Sequence, residues 1–339
     1  MSITTGALEN NIKKGWKPNS YLTDMSVAHF QANDDFVAHK IFPILPVPLS
    51  TSSYYVFNKG DLNRDSVQRK PSMGKVAPTV FGTSDQSYKC EVDQIIVGID
   101  QIGTLDFQRA RTPGISDPRK AKVEIVTNQM KIHQDIMFAN AYFKSGVWTE
   151  EWTGVDADPT GKQSLKWNDA NFDPVHFFAE RRKDVKRNCL RNPNVLALGA
   201  DAFDSLCQHP DIIERVKYTG STANPAIVTA NVLAQLFGIE KVVTFESLYN
   251  TAPLGAAPRL EYICGTGDAL LAYVNPRPSI DQPSAGYTFA WDMLGDGKHV
   301  AVDQYLGEPG THTEYIEGLM AYDMRKVCDD CAIFFSDMA

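Results

Sequence analysis

Residues 54–80 read YYVFNKGDLNRDSVQRKPSMGKVAPTV, and how this stretch folds decides the architecture. It opens with strand formers, Tyr54, Tyr55, Val56 and Phe57, and closes with Val76 and Val80. Between them Lys59, Arg64, Arg69, Lys70 and Lys75 outnumber Asp61 and Asp65, a net charge of +3. Gly60, Pro71 and Gly74 punctuate the run. Structureless loops beyond about 12–15 residues are uncommon inside compact domains. Downstream, SYKCEVDQIIVGIDQ (87–101) alternates and then turns apolar, so it is expected to be the return strand of a long two-stranded excursion. An isolated ribbon is marginal in water and needs a surface to lie on. The net charge of the whole chain is −8, so a basic loop points to an acidic partner surface, which a second copy of this chain offers.

The bulk numbers bound the rest. A chain of 339 residues that is 43% hydrophobic and 22% charged has the composition of a globular protein, with length for about two domains. Its acidity excludes non-specific nucleic-acid binding by the whole surface, which needs clustered Lys and Arg. MSITTGALENNIKKGW lacks the apolar core of a signal peptide, and Ser2 stands where myristoylation needs glycine. No apolar run approaches the ~18 residues of a membrane span. The six cysteines, Cys90, Cys189, Cys207, Cys264, Cys328 and Cys331, lack the spacing of a secreted framework. They are expected to be reduced thiols in a protein made in a cytosol.

Along the chain, residues 1–35 are polar and read as an arm ordered by docking. FVAHKIFPILPVPL (36–49) interleaves Pro43, Pro46 and Pro48 with aliphatics, the pattern of an edge segment. Asp117-Pro118 opens a helix through Phe143, with Ile125, Ile132, Ile136, Ala139 and Phe143 expected on one apolar stripe flanked by Val126, Met130 and Met137. At about 1.5 Å per residue this is a rod near 40 Å. A polar connector (146–167) leads to Asp173-Pro174, a second helix start, whose basic second half suits the helix dipole. From Asn192 strands and helices mix. NVLALG is a strand, His209-Pro210 breaks a helix, Thr229 and Gly238 bound another, and IEKVVTFESL and LLAYVNP are strands, together suggesting a compact α/β unit over about 170–305. The tail EYIEGLMAYDMRKVCDDCAIFF alternates and should pair back onto the ribbon or the long helix.

Motifs for chemistry are sparse. Cys328-Asp-Asp-Cys331 is half of a zinc site or a redox pair, but no second C-x-x-C or histidine accompanies it, so two partly buried strand cysteines are expected. Gly265-Thr266-Gly267-Asp268 lacks the third glycine of a dinucleotide fingerprint and reads as a turn. No Walker, nucleophile-elbow, zincin or EF-hand pattern occurs, and the seven histidines do not cluster. Neither a catalytic residue nor a cofactor or metal is assigned.

Taken in order, these segments resemble the major capsid proteins of tailed bacteriophages with the Hong Kong 97-type fold. FVAHKIFPILPVPLSTSSYYVFNKGDLNRD (36–65) is similar to the family's entry into its extended loop. NPNVLALGADAFDSLCQHPDIIERVKY and VTANVLAQLFGIEKVVT resemble the opening of its axial domain, and PSAGYTFAW (283–291) and AYDMRKVCDDCAIFF are similar to later capsid segments. The resemblance implies an α+β fold with an N-terminal arm at 1–35, an extended loop and peripheral-domain strands at 36–110, and a spine helix and connector at 111–170. It also implies an axial domain at 171–305 and C-terminal peripheral-domain strands at 306–339. The expected protein is not an enzyme. It self-assembles through pentamers and hexamers into the icosahedral shell of a virion, in the host cytoplasm, and encloses double-stranded DNA without sequence-specific binding. Scaffolding and portal proteins are expected partners, with a decoration protein as a further one and no membrane. The scaffold is expected to be a separate protein, because no charged coiled-coil segment precedes the arm. Lys59, Arg64, Arg69, Lys70 and Lys75 would then contact the neighbouring subunit. Two other readings use the same residues: an α/β enzyme with 54–80 as a lid, or a minor virion protein of the decoration or tail kind.

Overall fold

The protein is described by a computed structural model over residues 36–57, 63, 65–70, 72–76, 79, 82–102, 118–217, 228–253, 255–279, 282–292 and 300–339. The arm (1–35), Lys59, Arg64 and the helix-opening Asp117 lie outside these residues.

A short helix α1 (Ala38–Ile41) leads into β1 (Ile44–Val47), where Leu45 and Val47 are buried and Pro46 is exposed. The strand sits at a sheet edge, as its prolines require. Then comes the ribbon, β2 (Thr51–Phe57) antiparallel to β3 (Thr83–Lys89), in register from Thr51 opposite Lys89 to Phe57 opposite Thr83. The expected return strand is therefore divided. The chain breaks at Cys90, and β4 (Glu91–Asp100) leaves the ribbon to pair with β14 (Thr313–Lys326). The reason is a competing partner: ten residues of β4 find a full antiparallel register on β14.

Strand β14 organises the five-stranded sheet. Its first part lies between β4 and β13 (Val300–Leu306), and its end pairs with β12 (Gly286–Trp291), which pairs in turn with β1. The spine helix α2 (Pro118–Tyr142) crosses this sheet. Its buried face holds Val123, Val126, Thr127, Met130, Lys131, Gln134, Asp135, Phe138 and Ala139. This corrects the expected stripe. Ile125 is 47% and Met137 46% exposed, and only Ala139 and Phe143 of the expected stripe are buried. Hydropathy chose the isoleucines, but the sheet and α1 select the face that also bears polar groups.

Helix and sheet meet closely at Gly318, where a Cβ would lie 2.4 Å from Val126 Cγ1 and 2.3 Å from Met130 Cε. The methionine end can swing away, but the branched valine is stiff. Gly318→Val should therefore lower stability by about 1–3 kcal/mol through overpacking, read as a lower urea midpoint with an unchanged slope.

The second sheet has six strands in the order β6 (Gln163–Leu165), β5 (Glu151–Val155), β15 (Ala332–Ser336), β11 (Ala269–Ala272), β7 (Val195–Gly199) and β8 (Lys241–Phe245). Every residue of β7 and β11 is buried, which explains their continuous apolar sequences. Around the sheet lie α3 (Pro174–Cys189), α4 (Ala200–Gln208), α5 (Pro210–Lys217) and α6 (Ala230–Phe237). Asp173 caps α3 by accepting from the N–H groups of Val175 and His176, and Gly238 ends α6 with φ +61°. A small pair, β9 (Leu248–Asn250) with β10 (Leu260–Tyr262), stands apart, and Gly265–Asp268 turns into β11.

Sheet membership does not follow contiguous sequence. Strand β12, within 171–305, and strand β13, which begins there and ends at Leu306, belong to the five-stranded sheet, while β15, from the tail, enters the middle of the six-stranded one. An aromatic chain joins the two regions: Phe42 to Phe138 at 5.2 Å, Phe138 to Phe245 at 6.0 Å, and Phe143 to Phe245 and Phe334 at 4.8 and 5.5 Å.

The cysteine expectation also needs correction. Cys189 and Cys331, 142 residues apart, form a disulfide. Cys328 and Cys331 are not strand residues; Cys328 precedes a 3-10 turn (Asp329–Cys331) that leads into β15. Folding brings the end of α3 against that turn, a proximity that no local spacing encodes.

Candidate inter-subunit surface

The ribbon is anchored at its base and extends away from that anchor. Tyr88 stacks on Phe289 with ring centres 4.5 Å apart and planes 5° off parallel, and Tyr54 lies 5.3 Å from the same ring. With Leu45, Val47, Cys90 and Tyr287 these rings form a separate buried cluster. The Tyr54 hydroxyl donates to Gln86 Oε1 at 2.8 Å across the ribbon, and burial pushes its pKa up to about 12. The N–H of Lys89 donates to Asp323 Oδ2 at 2.9 Å, and that of Cys90 to the Ser50 carbonyl at 2.8 Å. These contacts fix the angle at which β2 and β3 leave the sheet.

Beyond the anchor the character changes. Arg69, Lys70 and Lys75 are all exposed, as are Met73 and Val76, and Val67 is 91% exposed. Met73 also holds a left-handed backbone, φ +62°, which a non-glycine side chain rarely adopts. The structure thus brings three of the five predicted contact residues onto one exposed segment; Lys59 and Arg64 lie outside the described residues.

The exit of the arm is fixed by a device that sequence reading missed. Asp135, on the buried face of α2, accepts from the N–H of Ala38 at 3.0 Å, the N–H of Val37 at 3.4 Å and the Ser247 hydroxyl at 3.0 Å. One carboxylate therefore ties the chain following the arm, the spine helix and the loop after β8. Burial raises its pKa to about 6, with the three donors and Lys40 pulling the other way. One turn away, Lys131 lies 5.7 Å from the centre of the Phe36 ring, and burial lowers its pKa to about 8. An aspartate four residues after a lysine on a long helix was the available signal, but it reads as a solvated pair.

Among the described residues, the histidine beside one groove and three of the thiols are otherwise engaged or held protonated. A groove of about 320 Å³ is lined by Asn168, Asp201, Asp204, Ser205, Gln208 and His209. The His209 ring is already committed: Nε2 lies 3.0 Å from the Asp169 carbonyl, and Nδ1 accepts from the Asp211 N–H at 3.3 Å. Burial pushes the thiols of Cys90 and Cys207 up to about 11 and that of Cys264 higher still, away from thiolate chemistry. Among the described residues no helix is long and apolar enough to cross a membrane.

No family model matches the chain. It is 30% identical over 277 residues to the major capsid protein of Burkholderia phage BcepMu, covering 79% of this chain and 81% of that protein. A phage-related protein from Bordetella bronchiseptica RB50 superposes with a TM-score of 0.71 at 20% identity, over 95% of this chain and 97% of that one. The capsid of cyanophage P-SCSP1u superposes with a TM-score of 0.53 at 12% identity, over 88% and 87%. The α+β fold is that of Hong Kong 97-type capsids. With the identity to the BcepMu protein, this establishes a structural, non-enzymatic component of the virion: the chain belongs to the major capsid proteins of tailed bacteriophages.

Proposed function

We propose that this chain assembles through pentamers and hexamers into the icosahedral shell that encloses phage double-stranded DNA, with residues 54–80 lying across the neighbouring subunit. The observation that carries this reading is the ribbon itself: aromatic at its base, then basic and apolar with exposed side chains where a partner would lie. Lys59, Arg64, Arg69, Lys70 and Lys75 meet acidic surface of the adjacent copy. Each exposed ion pair contributes only about 0–1 kcal/mol, but a closed lattice repeats every contact by symmetry. The axial domain is the unit built on the six-stranded sheet, gathered at five- and six-fold centres. The peripheral domain is the unit of the spine helix and five-stranded sheet, and the arm exchanges contacts with other copies. Scaffolding and portal proteins act in assembly, and a decoration protein is a further partner on the outer surface. An acidic shell holds DNA without gripping it.

Electron microscopy of the chain expressed alone and with its candidate scaffolding protein tests the reading. Closed, uniform shells or capsomer rings are expected, and a persistent monomer under both conditions counts against it. Arg64→Glu with Arg69→Glu should abolish or strongly reduce particles while the circular dichroism and thermal midpoint of the subunit stay unchanged. Normal shells from that double variant would remove the charge argument for the loop.

A further inference from the structure

Three cysteines meet where α3 ends beside the turn into β15. Cys189 is the last residue of α3, Cys331 closes the 3-10 turn and Cys328 precedes it. Their three sulfur atoms all lie within 4.8 Å of one another. The N–H of Cys331 donates to the Cys328 carbonyl at 3.3 Å, the tight turn that gathers a C-x-x-C pair. Cys189 and Cys331 are buried, and Cys328 is half-buried on the solvent side. Only two of three sulfurs can share a disulfide, so the Cys189–Cys331 bond leaves a third sulfur within the same small volume.

We propose that when this disulfide is reduced, Cys189, Cys328 and Cys331 form a three-thiolate site for a soft d10 divalent cation of the Zn²⁺ or Cd²⁺ class. A tetrahedral zinc ion with Zn–S bonds of about 2.3 Å holds its sulfurs roughly 3.8 Å apart. The present cluster reaches that spacing when the bonded pair opens and the widest pair closes by no more than about 1 Å. Reduction consumes two small-molecule thiols, which leave as their own disulfide while Cys189 and Cys331 each gain a proton. The cation then displaces protons from three thiols, so binding weakens as pH falls. The half-exposed flank at Cys328 leaves the fourth position to water.

The two closures suit different surroundings. Cytosolic thiols keep disulfides reduced, whereas a particle outside the cell meets oxidising conditions. Metal in the first setting and disulfide in the second would each hold the end of α3 to the strand in the middle of the six-stranded sheet.

The full chain, reduced with a phosphine and then freed of it, is titrated with Cd²⁺ and followed by the ultraviolet thiolate-to-metal charge-transfer band. One Cd²⁺ per reduced chain is expected, with a raised thermal midpoint that a chelator reverses, and none for the oxidised chain. Loss of even an outer-shell partner costs about 10–100-fold in metal affinity, so Cys328→Ser should weaken binding at least that far. Its fold is checked independently. On oxidation it must still link the tryptic peptide Asn188–Arg191 to Val327–Ala339, as only a juxtaposed Cys189 and Cys331 allow. Cys90→Ser and Cys207→Ser should bind as the unaltered chain does. Absence of the band in the reduced chain, or full affinity in a correctly oxidising Cys328→Ser variant, overturns the site.

Discussion

Asp135→Ala should destabilise the subunit by about 3–5 kcal/mol, because it removes the acceptor shared by three buried neutral donors. The variant leaves the N–H groups of Val37 and Ala38 and the Ser247 hydroxyl without the oxygen atoms that now accept from them. Each buried donor left unsatisfied costs about 1–3 kcal/mol. Urea unfolding measures the loss, and hydrogen exchange locates it: amides of 36–42 should lose protection before those of the six-stranded sheet. Asp135→Asn keeps one acceptor and should lose less. The unaltered chain and Asp135→Asn together test the titration. The folded-state pKa, raised from 3.8 to about 6, means that the native state holds its proton more tightly than the unfolded chain. The stabilisation is therefore complete below about pH 4 and lost as pH rises through about 6. At 1.36 kcal/mol per pKa unit this is about 3 kcal/mol for Asp135 alone. Asp135→Asn cannot show it, so the stability gap between the two proteins should change across that window and be flat above it. A gap independent of pH would mean that the carboxylate is hydrated and the clamp is weak.

Phe289→Ala should cost about 3–5 kcal/mol, as large-to-small changes at a fully buried aromatic do. The effect should be concentrated at the ribbon, because the ring touches Tyr54, Tyr88 and Tyr287. Without it the ribbon loses the stack that sets its exit angle, and a two-stranded ribbon is marginal by itself. Amides of Thr83–Lys89 should exchange faster while those of β7 and β11 are little changed, and particle yield should collapse in microscopy. Phe289→Leu, which keeps most of the volume, should recover much of both. Shells of normal yield from Phe289→Ala with a deprotected ribbon would separate the anchor from assembly. They would leave the loop's own contacts as the sole determinant of its docking.

The order of elements, more than any motif, carried the family reading, and the comparisons agree with it. Where a local signal and its structural consequence lie within a few residues, the sequence was sufficient. Asp173-Pro174 starts a helix with its cap in place, Gly238 ends one, His209-Pro210 divides one, and Pro46 marks an edge strand. The charge of the loop was equally legible, since it requires only counting.

Partner choice over long distances was not legible. Periodicity places Ile125, Ile132, Ile136, Ala139 and Phe143 on one stripe; Ala139 and Phe143 are buried, but the three isoleucines are not, and the buried face carries Thr127, Lys131, Gln134 and Asp135. Gly318 and the N–H groups of Val37 and Ala38, far away in sequence, determine that face. For the same reason the return strand changes sheets at Cys90, β15 leaves its neighbours for the other sheet, and Cys189 finds Cys331. Caps, turns, edge prolines and net charge are short-range terms written in each window of sequence. Which face is buried, which strand pairs with which and which cysteines meet depend on contacts between distant segments, and only the folded chain supplies those.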